Sequence, residues 1–178
     1  MASRPGLTRR ARSIRLLILD VDGVLTDGQL LYGSSGEALK RFHIHDGLAF
    51  VAWKRAGHSV AVLSGRRSRA VARRMAELGV TGVHQGLARK GPAYQALLGR
   101  LGCQDEEVAV MGDDLTDLPL LARAGLAIAP ANAVREVKAR AHLVTRLAGG
   151  MGAVREAVET ILRAQGRWEG LVREYRRD

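Results

Sequence analysis

Four polar clusters in this chain carry residue types that together can move a phosphoryl group. They are Asp20-Val21-Asp22-Gly23-Val24-Leu25-Thr26-Asp27-Gly28, Ser64-Gly65-Arg66, the isolated Lys90, and Gly112-Asp113-Asp114-Leu115-Thr116-Asp117. Carboxylate oxygens suit Mg²⁺, a hard cation that takes few protein ligands and keeps several waters. Asp20 and Asp113 are the pair that can share such an ion. A carboxylate can also act as a nucleophile on phosphorus, giving an aspartyl-phosphate. Asp22, two residues on, can then protonate the leaving alcohol and later deprotonate the attacking water. Ser64 supplies a hydroxyl donor, and Lys90 a cation, for the phosphoryl oxygens. Gly23 permits a tight turn that brings backbone N–H groups close to an anion.

These residues need strands to hold them. Leu16-Leu17-Ile18-Leu19 is a short, continuously apolar run that ends at Asp20. Such a run reads as a strand covered on both faces, as in a parallel sheet. Further strands are expected at 60–63, near Val83, at 108–111, at 126–128 and at 143–144. Helices are expected over 46–56, from the second cluster to Leu78 with Gly79 as its stop, and over 91–101, 115–123 and 133–139. The tail from Met151 is also expected to be helical. The βαβα order predicts an α/β fold, a three-layer doubly wound parallel sheet with ligands at the carboxyl ends of its strands. Residues 29–33 and 38–44 predict a hairpin protruding after the first strand, with Gly33-Ser34-Ser35-Gly36 as its turn. The expected organisation is a flexible basic arm over 1–13, one catalytic domain over 14–165, and a basic helical tail over 166–178.

The cluster DVDGVLTDG after an apolar strand resembles the first motif of the haloacid dehalogenase superfamily. Ser64, Lys90 and GDDLTD are similar to its second, third and fourth motifs in order and spacing, over most of the chain. The short interval between Asp20 and Ser64 has no room for a cap domain and resembles the capless branch. GDD with Asp117, and the segment Gly149-Gly150-Met151-Gly152-Ala153-Val154-Arg155-Glu156, are similar to the 3-deoxy-D-manno-octulosonate 8-phosphate (KDO 8-phosphate) phosphatases. The resemblance implies Mg²⁺ held by Asp20, Asp113 and the backbone carbonyl of Asp22. It implies a homotetramer built through the 29–44 hairpin, with the tail acting as a mobile lid. It further implies substrate contacts from Asp22, Lys90, Arg66 and Arg74, and from the loop His43-Ile44-His45-Asp46-Gly47. That loop departs from the family pattern, which commonly has Arg where His45 stands and a basic residue where Val51 stands. The departure puts the identity of the sugar in question, with an N-acylneuraminate 9-phosphate as the alternative.

Other residues have plainer readings. Asp114 is either the cap of the following helix or a support for the metal. Asp117 orients Lys90 or a metal-bound water. Asp27 holds the loop after the first motif. His43 and His45 alternate with apolar neighbours and can equally face solvent or a neighbouring subunit. Most of the arginines from 66 to 74 read as a solvated helix face, and Phe50 and Trp53 read as core.

Composition narrows the classes. The chain has 178 residues, 47% hydrophobic and 26% charged, as in a folded water-exposed protein. There is no apolar run of the roughly 20 residues needed to cross a bilayer, and no apolar segment behind the N-terminal arginines to make a signal peptide. The single cysteine, Cys103, cannot form an internal disulfide. A cytoplasmic enzyme is expected. The formal charge of +10 raises the possibility of nucleic acid, but aromatics at 4% are too few for a stacking platform and no nucleic-acid motif is present. The positive field suits an anionic substrate equally well. The leading expectation is a Mg²⁺-dependent phosphomonoesterase for a phosphorylated sugar acid. A phosphatase-like assembly subunit of a larger complex is the competing class.

Overall fold

The structure, a computed structural model, describes residues 5–34 and 36–177. The elements are α1 (Pro5–Ser13), β1 (Leu16–Leu19), β2 (Leu31–Gly33), β3 (Gly36–Leu39), α2 (Ile44–Arg55), β4 (Ser59–Leu63), α3 (Arg69–Glu77) and β5 (Gly82–His84). They continue with α4 (Gly91–Leu101), β6 (Val108–Met111), α5 (Leu118–Leu121), β7 (Leu126–Ala129), α6 (Arg135–Arg140), β8 (Leu143–Val144), α7 (Ala153–Ala164) and α8 (Trp168–Tyr175).

Six strands form one sheet in the order β5-β4-β1-β6-β7-β8, every pair parallel. Alternate side chains of β1 enter opposite cores. Leu17 and Leu19 join a cluster with Phe50, Trp53 and Val158, while Leu16 and Ile18 join one with Tyr94, Leu97 and Leu121. That is why β1 reads as unbroken apolar sequence rather than alternation. Phe50 and Trp53, 2% and 0% exposed, each contribute on the order of 1.5–3 kcal/mol of burial. From β1 the chain first builds outward through β4 and β5, then returns to add β6, β7 and β8 on the other side. The strand order therefore reverses between β1 and β6, and a crevice opens at their carboxyl ends.

Several boundaries differ from the sequence expectation. Residues 5–13, expected as an unstructured arm, form α1; residues 1–4 lie outside the described residues. Ala11 is fully buried, and the Gln165 side-chain amide donates to Ala11 O (3.0 Å) and Ile14 O (2.7 Å). Only Leu7 and Ala11 mark the buried stripe among basic neighbours, which is too little periodicity to reveal a helix. The hairpin is shorter than expected, with β3 ending at Leu39, and Ser35 in its turn lies outside the described residues. Helix α2 starts at Ile44 instead of 46, because His43 is its N-cap and its ring accepts from His45 N. The expected helix over 115–123 is a 3-10 turn at Leu115–Asp117 followed by the short α5. The helical tail breaks at Gly166, whose φ of +71° separates α7 from α8. No helix among the described residues is long and apolar enough to cross a membrane.

Candidate active site

Parallel register brings the two key aspartates together. Leu19 pairs with Met111, and Asp20 N donates to Met111 O at 3.0 Å. Asp20 and Asp113 therefore leave adjacent strands at nearly the same height. Asp113 leans over Gly23: a Cβ there would sit 2.0 Å from Asp113 Oδ2, and Gly23 has φ +88°. Only glycine meets both demands.

Lys90, the residue before α4, links Asp20 to Asp117. Its ammonium donates to Asp20 Oδ1 and to Asp117 Oδ1, each at 2.6 Å. The second Asp117 oxygen accepts from Asp113 N at 3.1 Å. Asp117 packs directly over Gly112, where a Cβ would lie 2.4 Å from its own. Burial pulls the Lys90 ammonium down, but the Asp20 and Asp117 carboxylates together outweigh it and hold the group above its ordinary value. Asp20 is pushed up to about 6, first by burial and then by the Asp117 carboxylate, with Lys90 opposing. Asp113 is pushed up to about 8 by burial and by the carboxylates of Asp20, Asp117 and Asp114.

Asp20, Asp113 and Asp117 can each offer an oxygen within 4.8 Å of the others. Asp113 Oδ1 is buried without a hydrogen-bond partner. An orphaned carboxylate oxygen in a carboxylate cluster whose charge raises its own pKa values fits a divalent cation with oxygen ligands. Both oxygens of Asp117 already serve Lys90 and Asp113 N, so Asp20 and Asp113 are the pair with coordination to spare. The carboxylate of Asp22 points elsewhere, to the ammonium of Lys40 and, at 3.8 Å, to Arg66 Nε.

Ser64 follows β4 and is 2% exposed. Its oxygen accepts from Arg66 N at 3.2 Å, which leaves the hydroxyl hydrogen free to donate. Arg66 also donates to the Tyr32 hydroxyl at 3.1 Å, tying the hairpin to the site. Asp114 is exposed and caps the 3-10 turn by accepting from Leu115 N at 2.7 Å, so the capping reading describes its contacts. Asp27 accepts from Gln29 N and Arg41 and holds its loop as expected.

The 43–47 loop is arranged differently from the sequence expectation. Ile44 is 72% exposed, and His43 and His45 stack edge to face at 4.9 Å. Asp46, expected to meet substrate, is 2% exposed and accepts from Arg155 N at 2.8 Å, in the first turn of α7. It acts as a cap from another helix, and burial raises its pKa. Gly47 faces the Arg74 guanidinium, which a Cβ would meet at 2.4 Å, and Arg74 also pairs with Glu77. These contacts join α2 to α3 and α7 and do not reach Asp20 or Asp113.

Gly149 and Gly150, expected as part of a mobile lid, lie against the first motif. Gly150 N donates to Val24 O at 3.0 Å. Asn132 bridges the two segments, donating to Gly23 O at 2.9 Å and accepting from Gly149 N at 2.6 Å. Lys40 and Asn132 were missed in the sequence. Each had a faint signal: Asn132 follows a strand end on the crevice side, and Lys40 is one of very few lysines in an arginine-rich chain.

A family model of haloacid dehalogenase-like hydrolases matches residues 83–156. The 3-deoxy-D-manno-octulosonate 8-phosphate phosphatase KdsC of Yersinia pestis is 46% identical over 91% of this chain and 87% of its own length. The solved Yersinia pestis 3-deoxy-D-manno-octulosonate 8-phosphate phosphatase superposes with a TM-score of 0.91 at 44% identity, covering 93% of this chain and 90% of that one. The Moraxella catarrhalis phosphatase of that name, solved with magnesium ion, phosphate ion and KDO, superposes with a TM-score of 0.94 at 37% identity, covering 97% and 99%. The chain belongs to the haloacid dehalogenase-like hydrolases, in the family of these phosphatases. It is a phosphoric monoester hydrolase, and its fold is the capless α/β sheet that the sequence led us to expect.

Proposed function

We propose that this enzyme hydrolyses KDO 8-phosphate to KDO and phosphate, with Mg²⁺ held by Asp20, Asp113 and the Asp22 carbonyl. The observation that carries the reading is the Asp20–Lys90–Asp117–Asp113 constellation at the carboxyl ends of β1 and β6. The high identity to KDO 8-phosphate phosphatases supports the substrate. When bound, Mg²⁺ supplies positive charge that lets two anions meet.

In this reading an Asp20 oxygen attacks phosphorus while Lys90 neutralises the phosphoryl oxygens and Ser64 donates to one of them. Asp22 protonates the departing alkoxide. It then takes a proton from the water that cleaves the aspartyl-phosphate. Asp117 orients Lys90, and Arg66 lies where it can meet substrate. Asp46 and Arg74 act by placing the 43–47 loop, leaving His45 as its exposed polar group.

The proposed assembly is a homotetramer through the hairpin. Leu31, Tyr32 and Leu39 are 48%, 64% and 65% exposed, an apolar surface that suits a subunit contact. Light scattering coupled to gel filtration tests it.

The functional test is phosphate release with and without Mg²⁺ from KDO 8-phosphate, N-acylneuraminate 9-phosphate and simpler sugar phosphates. Mg²⁺-dependent kcat/KM highest for KDO 8-phosphate is expected. A preference for another sugar phosphate overturns the substrate, and no turnover of any phosphomonoester overturns the proposal in favour of an assembly subunit.

A further inference from the structure

We propose that Lys40 is a positioning residue for the reaction: it fixes the carboxyl group of Asp22 in the orientation that serves the leaving group. The inference rests on the assignment of Asp22 as general acid. Lys40 follows the hairpin strand β3, and its ammonium pairs with Asp22 Oδ1. The Lys40 side chain is 1% exposed against 21% for Asp22. A side chain closed to water in this way does not offer its charge to a substrate, whereas the carboxyl group it holds is open to one. Burying a lysine costs desolvation that even a paired charge only partly recovers, so the structure retains a cation at this spot at some expense. The second Asp22 oxygen faces Arg66, itself bonded to Tyr32 of the hairpin. The hairpin thus braces the acid directly through Lys40 and indirectly through Tyr32.

Orientation matters because a general acid must hold its carboxyl group within hydrogen-bond reach of the oxygen it protonates. In the first step the Asp20 oxygen forms a bond to phosphorus and the bond from phosphorus to the alkyl oxygen breaks. The electron pair goes to that oxygen, which takes the proton from the Asp22 carboxyl. An alkoxide leaving group needs that proton. p-Nitrophenolate is stable as an anion and needs it far less.

The test compares kcat for an alkyl phosphate and for p-nitrophenyl phosphate in Lys40→Met, Lys40→Gln and Asp22→Asn. Both substrates are measured on one preparation, so the ratio is independent of how much protein has folded. Lys40→Met is expected to lower the alkyl-to-aryl ratio by about 30-fold, a large part of the 10²–10⁴-fold that a general acid contributes. Lys40→Gln, which keeps a donor, is expected to lie between Lys40→Met and wild type. An equal loss on both substrates, or no loss, overturns the proposal. If Asp22→Asn alters the ratio and Lys40→Met does not, Lys40 has no such role. If Asp22→Asn leaves the ratio unchanged, the acid assignment falls and the Lys40 proposal falls with it.

Discussion

Lys90 Nζ lies 2.6 Å from Asp117 Oδ1, and both side chains are almost closed to solvent at 5% and 3% exposure. The same ammonium touches Asp20 at the same distance. One buried cation is therefore stretched between the proposed nucleophile and a carboxylate that has no place in bond making. Asp117→Asn keeps the shape and removes the charge. We expect kcat to fall about 10- to 100-fold, the usual cost of losing an orienting partner. Stability should drop by no more than about 3 kcal/mol, because Asp20 still pairs Lys90. Wild-type kcat in this variant would show that Asp20 alone orients the lysine.

Asp20→Asn should behave differently. Loss of the nucleophile is expected to remove turnover by more than about 10³-fold. The fold should not suffer, since the Asp20 carboxylate raises the cost of charging Asp113 and Asp117 still pairs Lys90. A thermal midpoint equal to or above wild type in metal-free buffer is the expected result. Retained turnover would remove Asp20 from the mechanism.

The raised carboxylates give a pH prediction with a definite sign. Asp20 at about 6 and Asp113 at about 8 both lie above the 3.8 of a free aspartate. Between about 4 and 8 the metal-free folded state holds protons that the unfolded chain has released, so these groups lose stability as pH rises. Mg²⁺ must displace those protons to bind. The rise in midpoint on adding saturating Mg²⁺ should be small at pH 5.5 and reach about 5–10 °C at pH 8. Burial holds His58 and His142 below 6.5, which costs stability as pH falls below that value. Comparing each pH with and without Mg²⁺ cancels their effect. A Mg²⁺ gain independent of pH would contradict the coupling.

Gly149 is a steric test of the strap over the first motif. A Cβ there would lie 1.8 Å from Gly23 O. Gly149→Ala must push the strap or the motif away, at about 1–3 kcal/mol. We expect kcat to fall more than about tenfold even well below the melting temperature. Gly99→Ala, in the exposed face of α4 with no atom within 4 Å, is the control. It should be neutral or gain up to about 1 kcal/mol from helix propensity. Equal activity in the two variants would mean the strap does not set the motif.

The candidate site is legible in the sequence because its polar groups sit immediately after short apolar strands. Chain order places Asp20, Ser64 and Asp113 at strand ends, Gly23 marks the tight turn, and continuous apolar runs announce a sheet covered on both faces. None of that depends on long-range contact. The tertiary structure decided what each carboxylate touches. The family resemblance implies that Asp46 meets substrate, yet its carboxylate caps α7, an element more than a hundred residues away. Residues 5–13 read as an arm because they are polar and basic, yet Ala11 and Leu7 pack into the core beside α7. Lys40 went unnoticed because a lysine after a strand is ordinarily solvated, and only its burial against Asp22 shows otherwise. Local pattern fixes which groups can react, but pairing of charges and capping between distant helices follow from packing, which no local pattern records.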